Sequence, residues 1–288
     1  MLIIGYSQLY KLLPRGKFNR GIKTINEFMT RFIDQALLLS PEELEKTKSD
    51  TGFTFLHALA GFTRDPQVIR DQLAAILLAG RDSTAGTLSW TILELSRHPE
   101  VVSKLREEIL STVGQTRPPT YSDLKSMKYL QHTMSETLRL WPAVPFNVRH
   151  SLVDTTIPRG GGKDGNSPVG FPAGTGFIYS ALTMQRRPDL YPEIPGVAGP
   201  EVFSPERWDK WQPPPWMYIP FNGGPRICIG QQFALAEMGY TLTRIFQTFD
   251  RVEKRWLDKD VLPRTEIIIQ PAEKLDVAFW RAGEEKRA

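Results

Sequence analysis

The stretch Phe221-Asn222-Gly223-Gly224-Pro225-Arg226-Ile227-Cys228-Ile229-Gly230, leading into Gln231-Gln232-Phe233-Ala234, decides how the rest of the chain is read. It holds the only cysteine of 288 residues, set in a loop punctuated by glycine and proline. An arginine stands two residues before the sulfur, and a helical pattern opens at about Gly230 and runs to about Phe249. Backbone N–H groups at a helix N-terminus favour negative charge, which biases such a thiol towards thiolate. Thiolates act as nucleophiles or metal ligands, and glycines on both sides let the backbone approach a large flat group closely. Taken alone, a cysteine beside a turn reads more readily as a buried structural residue. The surrounding string is what sets this one apart.

Composition sets a few limits. Hydrophobic residues at 41% and charged residues at 24% are those of a globular chain with a real core, long enough for one large domain or two ordinary ones. A single cysteine rules out an intrachain disulfide and suits a reducing compartment. The net charge of +4 fits an acidic protein partner, an anionic membrane surface or a plain mixed surface, and it does not suggest nucleic acid. The longest strongly apolar run, residues 73–79, falls far short of the roughly 20 residues of a spanning helix. The apolar start, residues 1–10, is too short for an anchor and lacks a basic leader, so the composition reads as that of a soluble chain.

Along the chain the pattern is mainly helical. Residues 18–39 carry Ile22, Ile25, Phe28, Phe32 and Ala36 at helical spacing, which predicts a helix with that stripe facing a core. Asp65 as N-cap and Pro66 at the first position start a helix with no further proline until Pro99, about 32 residues and about 48 Å long. A third helix runs from Pro99 to near Gly114 with a mixed-charge face of Lys104, Arg106, Glu107 and Glu108, and a fourth spans residues 128–140 until Pro142 stops it. Residues 147–179 read as short strands around a Gly-rich turn, and residues 266–270 and 275–280 read as a terminal hairpin.

Three further constellations stand out. Glu136-Thr137-Leu138-Arg139 puts opposite charges on one helix face, which alone suggests a surface ion pair of little worth. Pro205-Glu206-Arg207-Trp208 follows it, and Arg149 lies ten residues beyond Arg139, after Trp141-Pro142-Ala143-Val144-Pro145-Phe146. Ala79-Gly80-Arg81-Asp82-Ser83-Thr84 sits mid-helix. Its small pair lets something pack flat against the helix, and hydroxyls there can bond back to the i−4 carbonyl and distort it. Arg159 to Gly165 invites a phosphate-loop reading, which fails because Asp164 follows Lys163 and Ile157 stands where a glycine is required. The four histidines (His57, His98, His132, His150) show no metal-ligand spacing, and the seven tryptophans read as packing.

Together these residues resemble the cytochrome P450 family. Phe-x-x-Gly-x-Arg-x-Cys-x-Gly matches its haem-binding signature at Phe221, Gly224, Arg226, Cys228 and Gly230. The resemblance implies a mainly α fold with a minor β-sheet, and haem b with Cys228 as the axial ligand to iron. It implies that Arg226 and Arg149 bind the two haem propionates, and that backbone amides donating to the sulfur tune it. It further implies a buried structural network of Glu136, Arg139 and Arg207, and substrate-facing positions at Ala143, Val144 and Phe146. Ala79 and Gly80 would lie against haem. Asp82, Ser83 and Thr84 would form the oxygen-activation motif, an acid–hydroxyl relay for protons. The hydroxyl directly after the acid is usually threonine in the family; Ser83 keeps the hydroxyl, drops the methyl and loosens the rotamer, which bears on coupling.

Residues 155–168, Arg81-Asp82 and Gly230-Gln231-Gln232-Phe233-Ala234 are similar to fungal members that hydroxylate n-alkanes and fatty acids. The activity implied is monooxygenation of a hydrophobic small molecule by O2, with electrons from an NADPH-dependent cytochrome P450 reductase, on the cytosolic face of the endoplasmic reticulum membrane. A third expectation keeps the haem but not hydroxylation, as in relatives that rearrange peroxides; Asp82 and Ser83 argue against it, because an acid–hydroxyl relay serves to protonate bound oxygen. The resemblance covers the chain from about Phe18 to its end, but family members are much longer. The chain is therefore expected to be a partial haem domain over residues 1–288, the C-terminal portion of the fold, without the N-terminal part and membrane anchor. The competing expectation is a non-catalytic truncated remnant unable to retain haem.

Overall fold

A computed structural model describes residues 15–47, 52–255 and 261–283; the apolar start at residues 1–10 lies outside them. Helices α1 (Gly16–Leu38), α2 (Pro41–Thr47), α3 (Phe55–Phe62), α4 (Pro66–Arg97), α5 (Pro99–Thr112), α6 (Tyr121–Ser126) and α7 (Lys128–Leu140) come first. Strands β1 (Phe146–His150), β2 (Thr155–Gly161), β3 (Ser167–Phe171) and β4 (Gly176–Ser180) follow, then the short helices α8 (Ala181–Met184) and α9 (Arg207–Lys210). Helix α10 (Gln231–Thr248) precedes β5 (Arg251–Lys254), β6 (Pro263–Thr265), β7 (Ile269–Pro271) and β8 (Val277–Trp280). The fold is mainly α with a minor β component. Among the described residues its sheets are four antiparallel ribbons, β1–β4, β2–β3, β5–β8 and β6–β7. The expected terminal hairpin is thus corrected. β8 returns to pair with β5, and β7 pairs with the preceding β6.

Two compact units divide at Ala79/Gly80. The first has its own core of Met29, Ile33 and Ala36 from α1, Leu44 from α2, Ala60 from α3 and Ile69 from α4. This corrects the stripe expected of α1. Ile22, Ile25, Phe28 and Phe32 are exposed, and of that set only Ala36 is buried. The apolar arc of α1 is wider than the contact it makes, and spacing alone does not tell which edge of a broad arc is covered.

In the second unit α5, α7 and α10 contribute Val102, Leu105, Leu130, Met134, Leu138, Leu242 and Phe246 to the main core. Burying each such side chain stabilises by about 1.5–3 kcal/mol. The start of α4 matches its sequence signal: Asp65 Oδ1 accepts from the N–H groups of Gln67 (2.8 Å) and Val68 (3.4 Å). The start of α7 is held from a distance, because Glu108 on α5 accepts from Tyr129 N and Leu130 N, both at 2.8 Å. A carboxylate satisfies two orphan donors there and sits at the positive end of the helix.

Candidate haem-thiolate site

The loop before α10 is fixed by its backbone. Cys228 N donates to Phe221 O at 2.9 Å, and a single 3-10 turn (Gly224–Arg226) lies between. Phe221 is half-buried and packs against the main core, which anchors the loop's entrance. Gly224 has φ +68°, a conformation that L side chains rarely adopt, and a Cβ on Gly223 would collide with the Trp216 ring. Gly230 forms the N-cap of α10, and a Cβ on it would stand 3.9 Å from Cys228 Sγ.

Cys228 is exposed, with Ile227 (54% exposed), Ile229 (86%) and Phe233 (72%) around it in sequence. So many bare apolar side chains in one short segment mark a surface meant to be covered. Among the described residues no donor is bonded to Sγ, so the expected amide bonds to the sulfur are not formed here. Arg226 is exposed and has no acidic partner among the described residues. Arg149 has none either; it donates to Val148 O at 2.9 Å and lies over the Tyr179 ring at 5.8 Å.

Ribbon β1–β4 meets the thiol loop through polar contacts. Asn147 and Tyr179 are direct cross-strand partners, and Asn222 Nδ2 donates to Asn147 Oδ1 at 3.1 Å while Tyr179 Oη donates to Asn222 Oδ1 at 2.7 Å. Strand side chains alternate, so Arg149, two residues on from Asn147, shares the face that meets the loop. Phe146, Val148 and Ile178 take the opposite face, where they are 49%, 50% and 74% exposed. Val144 is also exposed, and Ala143 O accepts from Ile269 N at 2.9 Å.

On α4, Asp82 is exposed and pairs with the neighbouring Arg81 at 3.2 Å. Ser83 is half-buried and Thr84 buried. Thr87, Ser89 and Thr91 bond back to the carbonyls of Ser83, Ala85 and Thr87 at 2.8–2.9 Å. The helix remains unbroken through all of them. A Cβ on Gly80 would meet nothing within 4 Å, which leaves a bare helix surface; Ala79 ends the first unit.

Glu136, Arg139 and Arg207 come together with no exposed surface. Arg139 grips both carboxylate oxygens of Glu136 at 2.8 Å and donates to the carbonyls of Gln185 (2.9 Å) and Pro200 (2.6 Å). Arg207 Nε reaches Glu136 at 3.3 Å and its Nη2 donates to Ala198 O and Gly199 O. Burial pushes the Arg207 guanidinium below its usual range. Trp208 Nε1 and Ser204 N complete the carboxylate's partners.

Several positioning residues carry no sequence signal. Gln185 is fully buried, donating to Leu138 O and Arg139 O and accepting from Ile219 N at 2.8 Å just before the thiol loop. Tyr179 and Asn147 stand in no motif, and Asn222, though inside the loop string, is marked only by its residue type, since asparagine tolerates the positive φ it takes here (+65°).

An exposed thiol beside apolar side chains, with two guanidinium groups that have no acidic partner among the described residues, is a donor set for a large apolar metal complex that bears carboxylates at its edge. Haem fits that description. The chain matches the Cytochrome P450 family model over residues 4–279, and it belongs to that family. The match starts earlier than Phe18. The chain is 49% identical over 274 residues to a cytochrome P450 monooxygenase of Talaromyces variabilis, covering 93% of this chain and 51% of that protein. It is 45% identical over 249 residues to cytochrome P450 52A13 of Debaryomyces hansenii, covering 85% and 47%. To cytochrome P450 52A1 of Candida tropicalis it is 43% identical over 254 residues, covering 86% and 45%. The chain spans about half the length of these curated relatives. Among the described residues no helix is long and apolar enough to cross a membrane.

Proposed function

We propose that this chain carries the haem-binding and oxygen-activating part of a monooxygenase that hydroxylates a long-chain alkane or fatty acid. The observation that carries the reading is the exposed Cys228 in its bare apolar loop, with Arg226 and Arg149 free of acidic partners among the described residues. When bound there, haem b supplies the iron on which O2 is reduced and one oxygen is passed to substrate. The overall balance is RH + O2 + 2 electrons + 2 protons giving ROH + H2O, with the electrons from an NADPH-dependent flavoprotein reductase.

The chain's own residues have distinct tasks. Cys228 would hold the metal through sulfur, and Arg226 and Arg149 would neutralise the propionates with charge-assisted hydrogen bonds. Asp82, open to water and steadied by Arg81, takes up protons that Ser83 and Thr84 hold on the inner side of α4. Ala143, Val144 and Phe146 offer apolar contact to substrate, in keeping with an unfunctionalised chain. The site belongs on the cytosolic face of the endoplasmic reticulum membrane, where such substrates partition. The deciding experiment is reconstitution of the chain with haemin, then a spectrum of the reduced CO complex. A red-shifted Soret band that disappears in Cys228→Ala is the expected result. Failure of the chain to take up haem would overturn the reading.

A further inference from the structure

We infer that Tyr179 is a positioning residue that ties the thiol loop and the Arg149 cation to one another, so that one side chain bears on both the sulfur and the propionate partner. The inference rests on the haem-thiolate reading of the same site. It goes beyond it in naming what fixes the site's geometry before any ligand arrives.

Three observations carry it. The first is the Asn222 backbone, at φ +65°, one of two non-glycine residues with positive φ among those described. Such a conformation persists where surrounding contacts over-determine it. Those contacts are present: Asn222 Oδ1 accepts from Tyr179 Oη (2.7 Å) and from Gly223 N (3.1 Å), and Nδ2 donates to Asn147 Oδ1 (3.1 Å). The Gly223 N–H, which can only donate, also fixes which end of the Asn222 amide is oxygen.

The second is the position of Asn222. It follows Phe221, whose carbonyl takes the Cys228 N–H at 2.9 Å, so holding Asn222 holds the near end of the hydrogen bond that closes the thiol loop. The third is the other side of Tyr179. Its ring lies 5.8 Å from the Arg149 guanidinium, and Arg149 and Tyr179 share the ribbon face towards the loop. The hydroxyl therefore acts on the sulfur side and the ring acts on the cation side. Tyr179 is half-buried, and both of its edges are used.

The two halves are separable. Tyr179→Phe removes the hydroxyl and keeps the ring; Tyr179→Leu removes both; Asn222→Gly removes the acceptor and tolerates the positive φ. In the full chain reconstituted with haemin, Tyr179→Phe should convert part of the red-shifted CO band to the unshifted form and speed haem loss about fivefold, the value of one net hydrogen bond. Asn222→Gly, which also deletes the bonds to Asn147 and Gly223 N, should cost at least as much, and the double variant should be no worse than Asn222→Gly alone, because the Tyr179 hydroxyl acts on the loop through Asn222. Tyr179→Leu should cost a further factor of about two to five in haem affinity through the lost cation–π contact. Far-UV circular dichroism of the haem-free variants should match wild type.

A wild-type chain that shows the shifted band while Tyr179→Phe and Asn222→Gly leave band and haem loss unchanged overturns the inference and leaves the function standing. Additive effects in the double variant, or loss of the haem-free fold in both single variants, overturn it as well. A wild-type chain that takes up no haem defeats both.

Discussion

At the scale of single residues, the charge count of the buried triad decides its fragility. One carboxylate, Glu136, faces two fully buried guanidinium groups, Arg139 and Arg207. The triad keeps a surplus positive charge, and Arg207 Nη1 has no hydrogen-bond partner among the described residues. Glu136→Gln would leave two buried cations facing a neutral amide. Breaking a buried pair from one side costs about 3–5 kcal/mol. Arg207→Met removes the less well-paired cation and leaves the Glu136–Arg139 pair neutral and bidentate, although it frees the carbonyls of Ala198 and Gly199. Denaturant unfolding of the two variants should therefore rank Glu136→Gln as clearly the more damaging. Equal losses would mean that the backbone bonds of Arg207, not charge balance, dominate. None of this was legible in Glu-x-x-Arg itself, which local reasoning assigns to a surface pair. Burial depends on residues 185–208 folding back over α7, and no local pattern encodes that return.

At the scale of elements, legibility followed the locality of the forces. Helix α4 was readable because its start depends on adjacent residues, Asp65 and Pro66, and its length on where the next proline falls. Helix α7 ended where Pro142 required. The β8 pairing departs from the local expectation because a strand's partner is chosen by sheet geometry; residues close in sequence favour a hairpin, yet β8 pairs with β5 upstream. The meeting of α4 with the β6–β7 hairpin belongs to the same class. A Cβ on Gly86 would sit 3.3 Å from Ile269 O, and that main chain is pinned by Trp90 Nε1 (3.2 Å) and by Ile269 N donating to Ala143 O. Helix propensity alone favours alanine over glycine by about 1 kcal/mol. Gly80→Ala, with open space around it, should realise that gain in thermal unfolding of the haem-free chain. Gly86→Ala should lose stability instead, since its pinned neighbour cannot retreat. A gain at both positions would show that the hairpin moves freely.

At the scale of the whole molecule, electrostatics sets how the fold responds to acid. Glu43, Asp123, Asp164, Asp189 and Glu206 all lie below their ordinary carboxyl values. Glu43, Asp164 and Asp189 are exposed, so salt screens their contributions strongly, and the half-buried Asp123 pairs locally with Arg117 and Thr120. Glu206 is different because it joins three elements: Lys104 on α5 at 2.7 Å, Tyr129 on α7 at 2.7 Å and Ser204 in the returning segment. Burial alone would push it up, but the hydrogen bonds from Lys104 and Tyr129 outweigh that and hold it at about 2, against an ordinary 4.5. A carboxyl depressed on folding stabilises fully above its unfolded value and loses that contribution as pH falls through its folded one. Stability should therefore decline from about pH 4.5 towards pH 2. Glu206→Gln should lower stability near neutral pH and flatten that decline, with the two curves converging in acid. Urea unfolding across this range, at low and high salt, measures both; parallel curves would show that Glu206 does not couple the three elements.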